Sequence, residues 1–431
     1  MKNQLSAQFL NDIVNRFDIT KHRPVSGKIW RHFLSSGSNL WMDTGDISKA
    51  TKLWSEEFSA LTTNNTLLNA EVQKGTYDEV VELISRQLGV ISDEEKVTEI
   101  GFYINVIHGL RLSRTFNCMV SVEVHTKLAN DVNGTYQIGK RLHAFSPGHF
   151  IIKVPFTAAG LIAARRLHNE GIPVNMTLCF STRQNVLASM IAKPSFSNVF
   201  VGRVGAYFSN NGIKRLDGIG EKVNFETQKC LRKVSERGYA NTKLIAASIR
   251  GVKQLTALVG TDVMTIPTNV IEDVLQNKDL HLAKEQKIAS MSNVSNDLIR
   301  QFNLFHLWQV NEQEKEVAIK LADKLPSNES DIVNLLNQYG CHDIFPELTA
   351  LELKQLSNDG KIPVHNQWSG KIENSEVGID TLLNLAGLYA FRKDQEALDE
   401  RIKQLLKPLQ GKNIIKSQIN SYLSWFFFRV L

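Results

Sequence analysis

From about residue 38 to about 270, short apolar runs alternate with amphipathic stretches. The runs are Leu40-Trp41-Met42, Cys118-Met119-Val120-Ser121-Val122, Phe150-Ile151-Ile152, Val174-Asn175-Met176-Thr177-Leu178, Val199-Phe200-Val201, Leu244-Ile245-Ala246-Ala247 and Val263-Met264-Thr265-Ile266. Stretches such as 158–169, 183–191 and 251–258 carry helical periodicity between them. Repeated strand–helix units predict a parallel sheet with helices packed outside it. Adding Ser59-Ala60-Leu61-Thr62 brings the runs to eight, and eight units in roughly 230–250 residues is the size of a (β/α)8 barrel. A doubly wound open sheet is the alternative, but no GxGxxG follows the first run. The pattern therefore predicts a helical lead-in over 1–37, a (β/α)8 TIM barrel over 38–280 and a helical C-terminal extension over 281–431. In the extension, 299–308, 312–325, 332–339 and 381–406 have helix-compatible spacing, punctuated by Pro326-Ser327-Asn328 and Asn358-Asp359-Gly360.

One residue breaks the apolar pattern most sharply. Lys153 sits inside Phe150-Ile151-Ile152-Lys153-Val154-Pro155, a run that reads as a buried parallel strand. A protonated amine there is costly, so it must be paired or held neutral. A neutral amine is a nucleophile, and the chemistry it invites is a Schiff base with a carbonyl substrate. The bland reading is a strand-end lysine that reaches solvent.

The other runs also deliver polar residues near their C-terminal ends, where barrels of this kind carry their chemistry. Asp43 ends the first, Asn64 the second, and Glu123 interrupts the third. Asn175 and Thr177, two apart and so on one face, lie in the fifth. Arg203 follows the sixth, and Ser248 and Arg250 follow the seventh. Each has a structural reading: Asp43 as a helix cap, Asn64 as a turn residue, Glu123 with Lys153 as an internal ion pair, the arginines as solvated side chains. Seven successive strands each supplying a polar group to one mouth point instead to an active site.

Composition narrows the picture further. Hydrophobic content of 42% and charged content of 22% in 431 residues are ordinary for a globular protein. A net charge of +6 without a long Lys/Arg run favours small anionic metabolites over nucleic acid. Cys118, Cys179, Cys230 and Cys341 lack CxxC spacing, which argues against a zinc site or disulfide framework and fits a reducing, cytoplasmic setting. Cys179 reads as a core residue. Met1-Lys2-Asn3-Gln4-Leu5 has no apolar signal core, and Trp425-Phe426-Phe427-Phe428 is too short to span a membrane. That aromatic run reads as an anchor on the protein itself or on a second copy in a homodimer.

The segments Asp43-Thr44-Gly45-Asp46, Ala60-Leu61-Thr62-Thr63-Asn64, Ser121-Val122-Glu123-Val124, Ile152-Lys153-Val154-Pro155 with Gly160, Asn175-Met176-Thr177-Leu178, Phe200-Val201-Gly202-Arg203 and Ala247-Ser248-Ile249-Arg250 together resemble the transaldolase family. They occur in family order over about 38–275. The resemblance implies a class I mechanism that uses no metal or other cofactor. Lys153 would form the Schiff base, Glu123 with Thr177 would hold a proton-shuttling water, and Asp43 would take the C4 hydroxyl proton. Asn64 and Asn175 would bind the retained dihydroxyacetone unit. Arg203, Ser248 and Arg250 would bind the phosphate of sugar substrates such as fructose 6-phosphate, sedoheptulose 7-phosphate and erythrose 4-phosphate, in the pentose phosphate pathway.

Related fructose 6-phosphate aldolases carry Gln where this chain has Glu123 and Tyr where it has Phe200, so the resemblance is to the transferase. Four positions depart from the family pattern. Asn65 and Val199 stand where Pro is usual, Asn198 where a phosphate-contacting Ser is common, and His125 where an Asp is common. Asn198 and the long C-terminal region leave open an aldolase or carboligase acting on a different sugar. A non-catalytic sugar-phosphate-binding protein is the remaining alternative.

Overall fold

In the computed structural model, residues 5–17, 26–277 and 294–427 are described, with side chains described as far as residue 407. Eight parallel strands close into a barrel in sequence order. They are β1 (Asn39–Asp43), β2 (Phe58–Thr62), β3 (Met119–Glu123), β4 (Phe150–Pro155), β5 (Val174–Thr177), β6 (Phe196–Phe200), β7 (Lys243–Ala247) and β8 (Val263–Pro267). The continuous apolar runs form strands because both faces are covered, by the barrel interior on one side and by helices on the other. The open doubly wound sheet is thereby excluded.

The expected β6 was displaced. The apolar run predicts it at 199–201, but the strand is Phe196–Phe200 and Val201 already opens helix Val201–Asn210. Ser197 and Asn198 disguise the strand as a loop, yet both are buried.

The connection from β2 to β3 is long and carries three helices: Asn65–Gln73, Asp78–Gln87 and the 24-residue Asp93–Phe116. A capping box of Ser92 with Glu95 starts the third. Before the barrel, helices Ala7–Val14 and Lys28–Ser35 pack Leu10, Trp30 and Phe33 into the core. The expected boundary near residue 280 lies outside the described residues.

From residue 294 onward the described elements are helical. The expected helix over 299–308 is two short ones, Asn296–Gln301 and Phe305–Trp308. Asn303 breaks it by adopting a left-handed backbone, φ 47°. Glu312–Asp323, Glu329–Gln338, Ala350–Asp359 and His365–Glu373 follow, and Asn328, within the expected breaker, caps the second of these. The last helix, Ile379–Phe427, is much longer than the expected 381–406. The aromatic run at 425–428 lies beyond the described side chains. No described helix is long and apolar enough to cross a membrane.

The C-terminal helix crosses the barrel mouth and is fixed at both flanks. Near its start, Asn384 Nδ2 donates to the carbonyls of Phe156 (3.0 Å) and Leu178 (2.8 Å), just beyond β4 and β5. On the opposite flank Thr66 bonds Asp394, Gln73 Nε2 donates to the Ala397 carbonyl (3.1 Å), and Arg401 pairs with Asp78 at 2.5 Å.

A buried charge cluster locks the helix start. Arg183, fully buried after β5, binds Asp380 through Nε and Nη2, each at 2.8 Å, and reaches Asp343 (2.7 Å) and Glu314 (3.2 Å). Ser181 adds a bond to Asp380 at 2.6 Å. Burial alone would raise the Asp380 carboxyl; the Arg183 charge and these bonds override it and hold it below the usual range.

Candidate active site

Parallel register places the key groups at one level. Glu123 of β3 pairs with Lys153 of β4, and Lys153 pairs with Asn175 of β5. Side chains two apart share a face, so Ser121 lies one layer below Glu123. The rings of Trp41 on β1 and Phe196 on β6 meet at 4.8 Å.

Lys153 is 5% exposed. Its Nζ lies 3.6 Å from Glu123 Oε2, donates to the Thr63 carbonyl at 3.3 Å, and stands 5.7 Å from the centre of the Phe391 ring. Glu123 is thus the carboxylate that faces the buried amine. Burial raises the Glu123 carboxyl despite the opposing charge of Lys153. The same balance, burial against Lys153 and a hydrogen bond from Thr62, raises Asp43.

Asp43 does not cap the following helix; Asp46 does, accepting from Lys49 N at 2.9 Å. Asp43 Oδ1 instead accepts from Thr62 Oγ1 at 2.8 Å, and Thr62 of β2 is tied at 2.6 Å to Thr265 of β8, on the other flank of β1. Asn64, by contrast, does have the capping role: its Oδ1 accepts from Leu67 N at 2.9 Å and so opens helix Asn65–Gln73. This fixes the residue at the mouth and leaves its amide nitrogen to donate elsewhere.

Asn175 is wholly buried and doubly engaged. Its Nδ2 donates to Ser121 Oγ at 3.0 Å, and its Oδ1 accepts from Asn198 Nδ2 at 2.8 Å. Several buried polar atoms around it have no hydrogen-bond partner within the protein: Glu123 Oε2, Thr177 Oγ1, Asn198 Oδ1 and Arg203 Nη1. Unpaired buried polar groups are costly, and a polar ligand in the mouth would satisfy these four.

Arg203 is buried, 6% exposed, on the first turn of helix Val201–Asn210. Its guanidinium lies 5.0 Å from the Phe200 ring and 5.6 Å from the Phe391 ring. Burial and the neighbouring Arg250 charge lower it to about 10. Phe200 itself is buried and packs on Phe180 at 5.3 Å. Ser248 is half-buried with a φ of 62°, a strained backbone for serine, while Arg250 is exposed. Gly202 permits this junction, because a Cβ there would fall 2.0 Å from the Ser248 carbonyl oxygen. Cys179 is fully buried, and burial drives its thiol well up, as fits a core residue.

The barrel thus brings Lys153, Glu123, Asp43, Asn64, Asn175, Thr177, Phe200, Arg203, Ser248 and Arg250 to one end. Sequence reading missed Thr62, which orients Asp43, and Phe391, which roofs both Lys153 and Arg203. Thr62 lay inside a recognised strand. Phe391 lay in a recognised helix whose partner no periodicity reveals.

The model of the transaldolase/fructose-6-phosphate aldolase family matches residues 40–339. The chain belongs to this family. The match runs well past β8 into the helices that follow it. Among relatives, a probable transaldolase of Dictyostelium discoideum is 26% identical over 310 residues, covering 69% of this chain and 94% of the relative. A transaldolase of Saccharomyces cerevisiae is 28% identical over 332 residues, covering 72% and 95%. A probable transaldolase of Exiguobacterium is 32% identical over 176 residues, covering 40% and 73%.

Proposed function

We propose that the chain is a transaldolase that moves a dihydroxyacetone unit between sugar phosphates through an imine on Lys153. The observation that carries this is the buried Lys153 amine beside Glu123, in a mouth that also holds Asp43 and Arg203. Lys153 attacks the C2 carbonyl of a ketose phosphate, and loss of water from the carbinolamine gives the iminium. A carboxyl raised by burial suits Glu123 to pass protons in both directions through a water held with Thr177. Asp43 takes the C4 hydroxyl proton as the C3–C4 bond breaks, and its electron pair flows into the iminium. An aldose phosphate departs and the three-carbon enamine stays on Lys153. Attack on the aldehyde of a second aldose phosphate reverses these steps, Asp43 returns the proton, and hydrolysis frees the new ketose.

The remaining groups divide between the two ends of the substrate. Asn64 and Asn175 bind the retained hydroxyls. Arg203, Ser248 and Arg250 take the phosphate, guanidinium groups being planar and permanently charged. Phe200 has no hydroxyl with which to protonate the enamine, which favours transfer over simple release. Asn198 favours a second reading on the acceptor side. Its amide nitrogen is committed to Asn175, so it is not free to donate to the phosphate as the hydroxyl usual at that position would, which fits an altered acceptor.

The test is a donor–acceptor matrix. Fructose 6-phosphate with erythrose 4-phosphate should yield sedoheptulose 7-phosphate, and the Lys153→Ala protein should yield none. Turnover by that variant at the normal rate would refute the proposal.

A further inference from the structure

The C-terminal helix turns one stripe toward the barrel mouth. Asn384, Gly387 and Phe391 recur at spacings of three and four, so they share a face. Asn384 ties that face to the carbonyls of Phe156 and Leu178. At Gly387 the backbone comes so close that a Cβ would fall 2.8 Å from Leu178 Cδ2 and 2.9 Å from Arg203 Nη1. One turn on, the Phe391 ring is 2% exposed; its centre is 5.7 Å from Lys153 Nζ and 5.6 Å from the Arg203 guanidinium carbon. Beyond it, the bonds of Thr66 to Asp394 and of Gln73 to Ala397 hold the helix down. The ring is therefore pinned from both sides, nearly equidistant from the two cations. A sugar phosphate joined to Lys153 and reaching Arg203 would pass beside it.

The three-carbon enamine left on Lys153 after donor cleavage has two fates. Its C3 can attack the aldehyde of an aldose phosphate and form a carbon–carbon bond. Alternatively, C3 takes a proton from water, and the hydroxide so formed adds to C2 of the resulting iminium. The hydroxyl proton then passes to nitrogen, the C2–N bond breaks, and dihydroxyacetone leaves with the amine restored. One water is consumed and no other reactant is needed. Water greatly outnumbers any sugar, so transfer prevails only where the enamine is shielded from it. Phe391 presents an apolar ring with no proton to give. Phe200, 5.0 Å from the same guanidinium, has none either.

We propose that Phe391 is a specificity-determining residue that selects an aldose over water as acceptor, by covering the Lys153 enamine with an apolar ring on a pinned helix. The proposal rests on the reading of Lys153 as the imine-forming residue. It gives the helical extension a part in the outcome of the reaction as well as in covering the mouth.

The experiment compares the full-length parent, Phe391→Leu and Phe391→Ala. Free dihydroxyacetone is measured with fructose 6-phosphate alone, and sedoheptulose 7-phosphate after erythrose 4-phosphate is added. Borohydride trapping on Lys153 and unfolding midpoints are recorded for each protein. Phe391→Ala should raise the ratio of release to transfer about tenfold, and Phe391→Leu about threefold, since a branched chain covers less than a ring. Donor cleavage should continue in both. If Phe391→Ala does not fold, Phe391→Leu decides alone. The parent's ratio in folded variants that still give the Lys153 adduct would overturn the role of Phe391 and leave the imine reading standing. A parallel fall in release and transfer, or a rise in donor KM alone, would mark a packing role and overturn it as well. If the parent gives no adduct on Lys153, the imine reading fails and this inference fails with it.

Discussion

Lys153 and Glu123 occupy paired positions on β4 and β3, with the amine 3.6 Å from the carboxylate. The pair is too long for a tight hydrogen bond and leaves Glu123 Oε2 without one. On the proposed mechanism, a carboxyl so placed exchanges protons with the lysine adduct through a water. Glu123→Gln should therefore lower kcat by about a hundredfold or more with little change in KM, and rapid-mixing kinetics should show slowed imine formation. A rise in KM alone would mark Glu123 as a binding group.

Asp43 should oppose stability while serving the chemistry. Burial raises its carboxyl, so the folded chain binds that proton more tightly than the unfolded chain does. Below the ordinary aspartate range both states are protonated and the cost is absent. As pH rises through the raised folded value the cost appears and persists at neutral pH. Asp43→Asn keeps an acceptor for Thr62, so thermal melts should show a midpoint higher by a few degrees at neutral pH, with the difference fading in acid. The same variant should retain imine formation and lose C3–C4 cleavage.

Arg183 should be among the least replaceable residues outside the mouth. Its removal leaves Asp380, Asp343 and Glu314 buried without their cation, and Arg183→Met should cost about 3–5 kcal/mol in denaturant unfolding. The Asp380 carboxyl is held low in the folded state, so its stabilisation is present above the ordinary aspartate range and is lost as pH falls through the depressed value. The variant should lack that acid-side loss.

Gly202 tests the phosphate corner sterically. Gly202→Ala places a methyl group 2.0 Å from the Ser248 carbonyl oxygen and 2.5 Å from Arg250 Cγ. The loop after β7 must shift, so the KM for a phosphorylated donor should rise about tenfold or more while borohydride still traps dihydroxyacetone on the protein.

Much of this was legible in the sequence. Apolar runs marked the eight strands, and polar residues at their ends marked the mouth, because a barrel interior is filled mainly by apolar side chains. The misplaced β6 shows the limit: Ser197 and Asn198 are polar and wholly interior, so hydropathy hid them. Asn303 broke a helix that periodicity drew as continuous. The roof was beyond sequence reading for a different reason. Helical spacing shows that 381–406 buries one face, but only the tertiary fold shows that Phe391 meets Lys153 and that Asn384 meets the carbonyls after β4 and β5.

The most direct test of the central claim is borohydride reduction in the presence of fructose 6-phosphate, followed by peptide mass spectrometry. The account predicts a reduced three-carbon adduct on Lys153, absent in Lys153→Ala. An adduct on another lysine, or none on folded protein at saturating sugar, would contradict it.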